Sequence, residues 1–134
     1  MSRLIVFIFF WNLLPYFLFG QKIITNCFVL QKSIELEIFV NRFHLCNEDN
    51  MYIVDTNHLF QNCLVQRSCG KNIEIRFDTV GFKDRRTIEV YNFERKGREV
   101  KIFFHRPFTG ATLILTFKRK QSKFLLKRFE IGAF

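Results

Sequence analysis

The sequence predicts an all-β protein, an antiparallel β-sandwich stabilised by disulfides. Three observations carry this expectation. Short runs in which apolar and polar residues alternate recur along the chain, and a period of two is the mark of half-buried strands. Clusters of Gly, Asn, Asp and Pro punctuate those runs. Four cysteines follow a segment with the layout of a secretory leader, so they belong to an oxidising route.

The leader comes first in the chain. Met1-Ser2-Arg3 supplies a basic start, Leu4 through Leu14 is apolar apart from Asn12, and Pro15 interrupts the run. Leu18-Phe19-Gly20 then places a small residue before the polar Gln21-Lys22. This order predicts a signal peptide over residues 1–20, cut after Gly20. The apolar run falls short of the roughly 20 residues that a membrane helix needs, and no later run is longer. The mature chain, residues 21–134, is therefore expected to be secreted, with no stable insertion in a membrane. At this length it makes a single domain. Hydrophobic residues at 49% are enough for a packed core, and 25% charged residues argue against bulk disorder. The 19 phenylalanines load the chain with a residue that favours strands.

Cys27, Cys46, Cys63 and Cys69 all lie beyond the cut. Three pairings are open, one of which joins Cys63 to Cys69 and leaves Cys27 for Cys46. Zinc is the competing use, but zinc sites usually pair cysteines across two-residue spacers, and none occurs here. No metal or other cofactor is expected. The chain has no Asn-x-Ser/Thr acceptor for N-glycosylation.

The strand runs follow in order. Ile34-Glu35-Leu36-Glu37-Ile38 alternates strictly, and Met51-Tyr52-Ile53-Val54 follows the turn-forming Asn47 to Asn50. Ile73 to Phe77 and Thr87 to Tyr91 alternate again. Val100 to Phe104, Thr112 to Phe117 and Lys123 to Ile131 complete the set. Gly81, Asn92 to Gly97, and Pro107 to Gly110 separate the later runs. About seven or eight short strands with turns between them, and no long amphipathic helix, point to a sandwich or a barrel.

Charge is unevenly spread. Residues 21–70 hold four basic and five acidic side chains, whereas residues 71–134 hold 16 basic and seven acidic ones. That asymmetry suggests a surface facing an anionic partner, densest at Lys118, Arg119, Lys120, Lys123, Lys127 and Arg128. For an exported protein the candidate anions are sulfated glycans, acidic lipid headgroups or an acidic protein; nucleic acid is not expected. The same residues also suit a solvated hairpin whose lysines guard a sheet edge.

Enzyme signatures are thin, and a non-catalytic protein is expected. His44, His58 and His105 form no metalloprotease helix motif, and neither a Gly-x-Ser-x-Gly elbow nor a glycine-rich phosphate loop occurs. An enzyme would need a His–carboxylate pair converging in a cleft. Glu48, Asp49 and Asp55 have the chemistry to bind calcium, although acidic turn residues are more often plain solvated loop.

The second half resembles a galectin domain, a jelly-roll β-sandwich that binds β-galactosides. The resemblance rests on Asn72 to Asp78, Thr87 to Asn92, Arg98-Glu99-Val100, the Pro107-Phe108-Thr109-Gly110 turn with Leu113 to Phe117 after it, and Phe124 to Ile131. It implies a carbohydrate site at Arg76, Asp78, Asn92, Glu99 and Lys101. The family's His-x-Asn-x-Arg strand falls on Arg76, Asp78 and Val80, and Lys101 replaces the arginine of the Glu-x-Arg pair. Lysine cannot supply the bidentate guanidinium fork, and the only tryptophan, Trp11, lies in the leader. The stretch from Cys46 to Asp55 resembles the Cys-x-x-Asp strand of CUB domains, which are also extracellular sandwiches. The functional expectation is a secreted binding module for a glycan, an acidic one in view of the basic half. The alternative is an extracellular protein-interaction or structural module with no glycan site.

Overall fold

The computed structural model describes residues 25–67, 69–70, 72–77 and 84–133. Residues 1–20, predicted to be a signal peptide, and Asp78 and Gly81 lie outside the described residues. Residues 25–35 form helix α1 and Glu37–Phe43 form α2. Seven strands follow: β1 Met51–Val54, β2 Val65–Gln66, β3 Asn72–Arg76, β4 Thr87–Lys96, β5 Glu99–Arg106, β6 Ala111–Lys120 and β7 Lys123–Ala133.

The protein is mostly β-sheet and carries two disulfides, as the sequence predicts. Its described strands make one seven-stranded sheet in the order β2-β3-β1-β4-β5-β6-β7. The layer packed on that sheet is helical, where a sandwich would place a second sheet. The pairing is also mixed: β1 runs parallel to both β3 and β4, while β4 to β7 form an antiparallel meander. Parallel neighbours require crossovers rather than tight hairpins, and the chain between β1 and β4 supplies them.

The expected strand at Ile34–Ile38 is helical, and the reason is local. Val29, Leu30, Ser33, Ile34, Phe39 and Phe43 are buried, in pairs four residues apart, which is helical spacing. Leu36 sits at the junction with φ −68° and ψ 135°, an extended conformation. The strict alternation therefore straddles a break between two helices, where five residues cannot separate a period of two from one of 3.6. The other difference lies at Asn92–Gly97, read as a turn; β4 continues through it to Lys96.

The core forms where the helices meet the sheet. Along β5 burial alternates, with Val100, Ile102, Phe104 and Arg106 facing inward. Phe104 meets Phe39 edge to face at 4.8 Å, and Phe39 meets Phe43 at 4.9 Å. Leu113, Leu115 and Phe117 of β6 extend this surface in register. Two buried arginines are structural. The Arg106 guanidinium donates to the Phe43 carbonyl at 2.8 Å, satisfying the last turn of α2, and its Nε donates to Arg85 at 3.0 Å. Arg67 donates to the carbonyls of Leu45, Glu48 and Asp49 at 2.6 to 2.8 Å. Neither belongs to the charged surface that the net charge implied.

The disulfides join Cys27 to Cys63 and Cys46 to Cys69. They tie α1 to the segment after β1, and the chain after α2 to the segment after β2. His44 and Cys46 lie in the turn after α2.

Asp84 and Arg86 clip the start of β4. The Asp84 carboxylate accepts the Arg86 main-chain N–H at 2.9 Å and its guanidinium at 2.7 Å, and the Arg86 carbonyl accepts the Tyr52 N–H at 2.9 Å. The side-chain hydrogen bond from Arg86, above all, lowers the Asp84 carboxyl from 3.8 to about 2. A carboxyl lowered on folding contributes stability above its unfolded value and loses it as pH falls through the folded one. Asp84→Asn is thus expected to flatten the acid limb of stability between about pH 4 and pH 2. Urea titrations of both proteins across that window check this, and parallel acid limbs would refute it.

Candidate functional site: a basic end of the sheet

Two tight turns build the candidate surface. Gly97-Arg98 joins β4 to β5, with Gly97 at φ 62°. A two-residue hairpin asks for a positive φ here, and glycine adopts it without strain. Gln121-Ser122 joins β6 to β7, and Gln121 takes φ 58° despite having a side chain, which is uncommon. Alternate turns of a meander lie at the same end, so these two are neighbours. The Arg119 N–H donates to the Arg98 carbonyl at 2.8 Å.

This juxtaposition gathers exposed cations from three strands and a turn: Arg95, Lys96 and Arg98 from the first hairpin, and Lys118, Arg119, Lys120 and Lys123 from the second. Like charges are held together. Lys120 and Lys123 are direct cross-strand partners, an unfavourable arrangement. The Arg95 guanidinium is pushed down first by burial and then by the charge of Arg119. Only Glu94 and Glu99 oppose them in the paired rows nearest the turns. Glu94 accepts a hydrogen bond from Asn92 at 3.1 Å. Glu99 is engaged by Lys127, whose hydrogen bond is the main reason the carboxyl sits below its usual range. Lys118, Lys120 and Lys123 form no salt bridge among the described residues.

Of the anionic-partner residues expected from sequence, Lys118, Arg119, Lys120 and Lys123 stand at this end, with Lys127, at the bulge, and Arg128, opposite Thr116, further along β7. Sequence reading missed Arg95, Lys96 and Arg98 as part of this surface, because Asn92–Gly97 passed for punctuation and Arg98 was read only within the galectin-like run. The signal was present in Arg95-Lys96-Gly97-Arg98 itself, a glycine turn flanked by cations.

The residues expected to hold a sugar are only partly brought together. Asn92, Glu99 and Lys101 share the sheet face turned away from the helices, on the adjacent strands β4 and β5. Each is engaged within the protein. Asn92 accepts the Phe93 N–H at 2.8 Å, and Lys101 stands 4.0 Å from Glu130. Arg76 lies on the same face of β3, beyond the intervening β1. Its guanidinium stacks 3.7 Å from the Tyr52 ring centre. Asp78 lies outside the described residues.

A His–carboxylate pair does form, which sequence spacing did not reveal. Glu89 and His105 are cross-strand partners, with Oε2 and Nδ1 3.5 Å apart and both side chains half-buried. Tyr91 packs against Phe103 with ring centres 5.5 Å apart, and its hydroxyl is pushed up by burial first and by Glu89 second. Such a pair can pass a proton, but its partners across the strands are Val54 and Thr112. The acidic turn residues serve the fold. Asp55 accepts the N–H groups of Leu59 and Phe60 at 2.9 and 2.8 Å, and Glu48 pairs with Arg85 at 3.2 Å. Among the described residues no group of three or more His, Cys, Asp or Glu is placed to hold a metal ion.

No helix among the described residues is long and apolar enough to cross a membrane. The two disulfides fit an oxidising compartment. No family model matches the chain, and no curated protein or solved structure matches it.

Proposed function

We propose that this is a secreted, non-catalytic binding module that engages an anionic partner through the basic end of its sheet. The observation that carries the reading is the meeting of two cationic hairpin tips, with Lys120 set against Lys123 and Arg95 near Arg119. Clustered like charges destabilise the free protein, and a bound anion relieves that repulsion. Departures from local rules without local compensation tend to mark functional surfaces.

The test uses heparin as a polyanion. The oxidised protein is expected to bind it, with affinity falling as salt rises. Replacing Lys118, Lys120 and Lys123 together by Glu should weaken binding at physiological salt by roughly tenfold or more. Lys32→Glu, on the exposed side of α1, should leave it unchanged. Equal losses in the two proteins, or no loss in either, would refute the site.

A second reading keeps the galectin-like glycan site. Its support is the common face of Asn92, Glu99 and Lys101 on neighbouring strands. A glycan array at low and physiological salt separates the two. Salt-resistant β-galactoside binding favours the galectin-like site, and salt-sensitive binding to sulfated glycans alone favours the basic end. No glycan binding at either salt leaves a protein or lipid partner.

A further inference from the structure

We propose that the anionic partner is the surface of a bilayer containing acidic phospholipid, with Leu125, Leu126 and Phe129 entering the headgroup region. This rests on the reading that the basic end is the binding surface, and it adds the chemistry of the partner.

The argument starts from β7. In register, Leu126, Phe129 and Ile131 stand beside the buried Phe117, Leu115 and Leu113 of β6. The helices reach only part of the way: α2 packs on β6, and Arg42 extends to the carbonyls of Thr112 and Gly132. Beyond that reach Leu126, Phe129 and Ile131 are left open, 37%, 49% and 58% exposed, and Leu125, which pairs with Lys118 on the opposite face of the same edge strand, is 51% exposed. Single exposed apolar residues need no explanation, but four on one edge strand do.

Leu125 and Leu126 stand among the cations. Lys118, Lys120, Leu125, Leu126 and Lys127 line a shared cleft of about 280 Å³. Interleaved aliphatic and cationic side chains suit a bilayer interface, where apolar groups sink below the headgroups while lysine stems reach up to the phosphates. A sulfated polysaccharide would use the cations and leave the leucines in water. A second copy adding to the β7 edge is disfavoured, because that edge is bulged near Lys127 and carries Lys123, Lys127 and Arg128.

The probes are phosphatidylcholine vesicles with and without phosphatidylserine, used in co-sedimentation. The purified oxidised protein is expected to bind only those with phosphatidylserine. Leu125→Ser with Leu126→Ser should lower that binding by roughly tenfold, while heparin retention, the check on folding and on the basic end, stays as before. Vesicle binding unchanged in this variant would overturn insertion. Heparin binding without vesicle binding would overturn the lipid inference and leave the anionic site standing, whereas loss of both would sink the two together. Trp11, in the leader, is the chain's only tryptophan, so Phe129→Trp adds a reporter on β7. Its emission should move to the blue on acidic vesicles, relative to the parent protein, and no movement would count against burial of that strand.

Discussion

Phe104→Ala is expected to lower the free energy of unfolding by about 3–5 kcal/mol. Phe104 is fully buried at the centre of β5 and touches Phe39, which in turn touches Phe43. Through these rings the helical layer holds the sheet. Truncation loses the transfer energy of the ring and leaves a cavity bounded by helix and strand backbones, which cannot easily collapse. Small domains have about 5–15 kcal/mol in total, so the variant should approach the edge of folding. Phe108 lies in the β5–β6 turn and is 60% exposed. Phe108→Ala should change stability by less than about 0.5 kcal/mol. Urea titration of the three proteins checks the contrast. Similar midpoints for Phe104→Ala and the parent would mean that the helices do not pack on this face.

Replacing Cys27 and Cys63 by Ser should cost about 3–4 kcal/mol on the chain-entropy account, and replacing Cys46 and Cys69 slightly less. The bridged residues are 36 and 23 apart in sequence. A cross-link restricts the unfolded chain more as the loop it closes lengthens. The first bridge also carries a packing role. Cys63 is buried against the core and Cys27 lies at its margin, so the pair holds α1 against the segment between β1 and β2. Thermal unfolding of the two double variants, beside the parent with and without reductant, measures each contribution. The reverse order of effects would show that strain or unfolded-state structure outweighs loop length. The expected sizes also make function conditional on an oxidising environment, because a reduced chain would lose both contributions at once.

The polar chemistry of the surface divides into two parts. On the helix-free face, acids and bases satisfy one another: Lys127 with Glu99, Lys101 with Glu130, and His105 with Glu89. At the hairpin end they do not, and cations gather without acids to match. Ion pairs exposed to water contribute little stability, so the neutralised face is not a source of strength. Its effect is to leave the excess charge at one end.

How much of this was legible beforehand follows from the range over which each signal acts. Strand alternation is a property of adjacent residues, and β1 and β3 to β7 all lie on runs that alternate or are rich in β-formers. The cysteine count and the leader-like layout of the first residues pointed to an oxidised domain, and the structure contains two bridges. The helices escaped because their buried residues recur four apart only on either side of a break at Leu36, while the five residues around that break imitate a strand. The pairing of cysteines, the parallel placing of β1 between β3 and β4, and the single sheet under a helical layer all depend on contacts between residues far apart in sequence. The candidate surface divides the same way. Lys118 to Lys123 is a local run and was visible; Arg95, Lys96 and Arg98 joined it only when the meander brought two alternate turns to one end. The sequence by itself determined which residues can form strands, which can cross-link and which carry charge, since these are properties of side chains and their immediate neighbours. Only the tertiary structure decided which strands became neighbours, which apolar residues the helices left uncovered on β7, and which charges had to share one end of the sheet, since these depend on how the whole chain closes around its core.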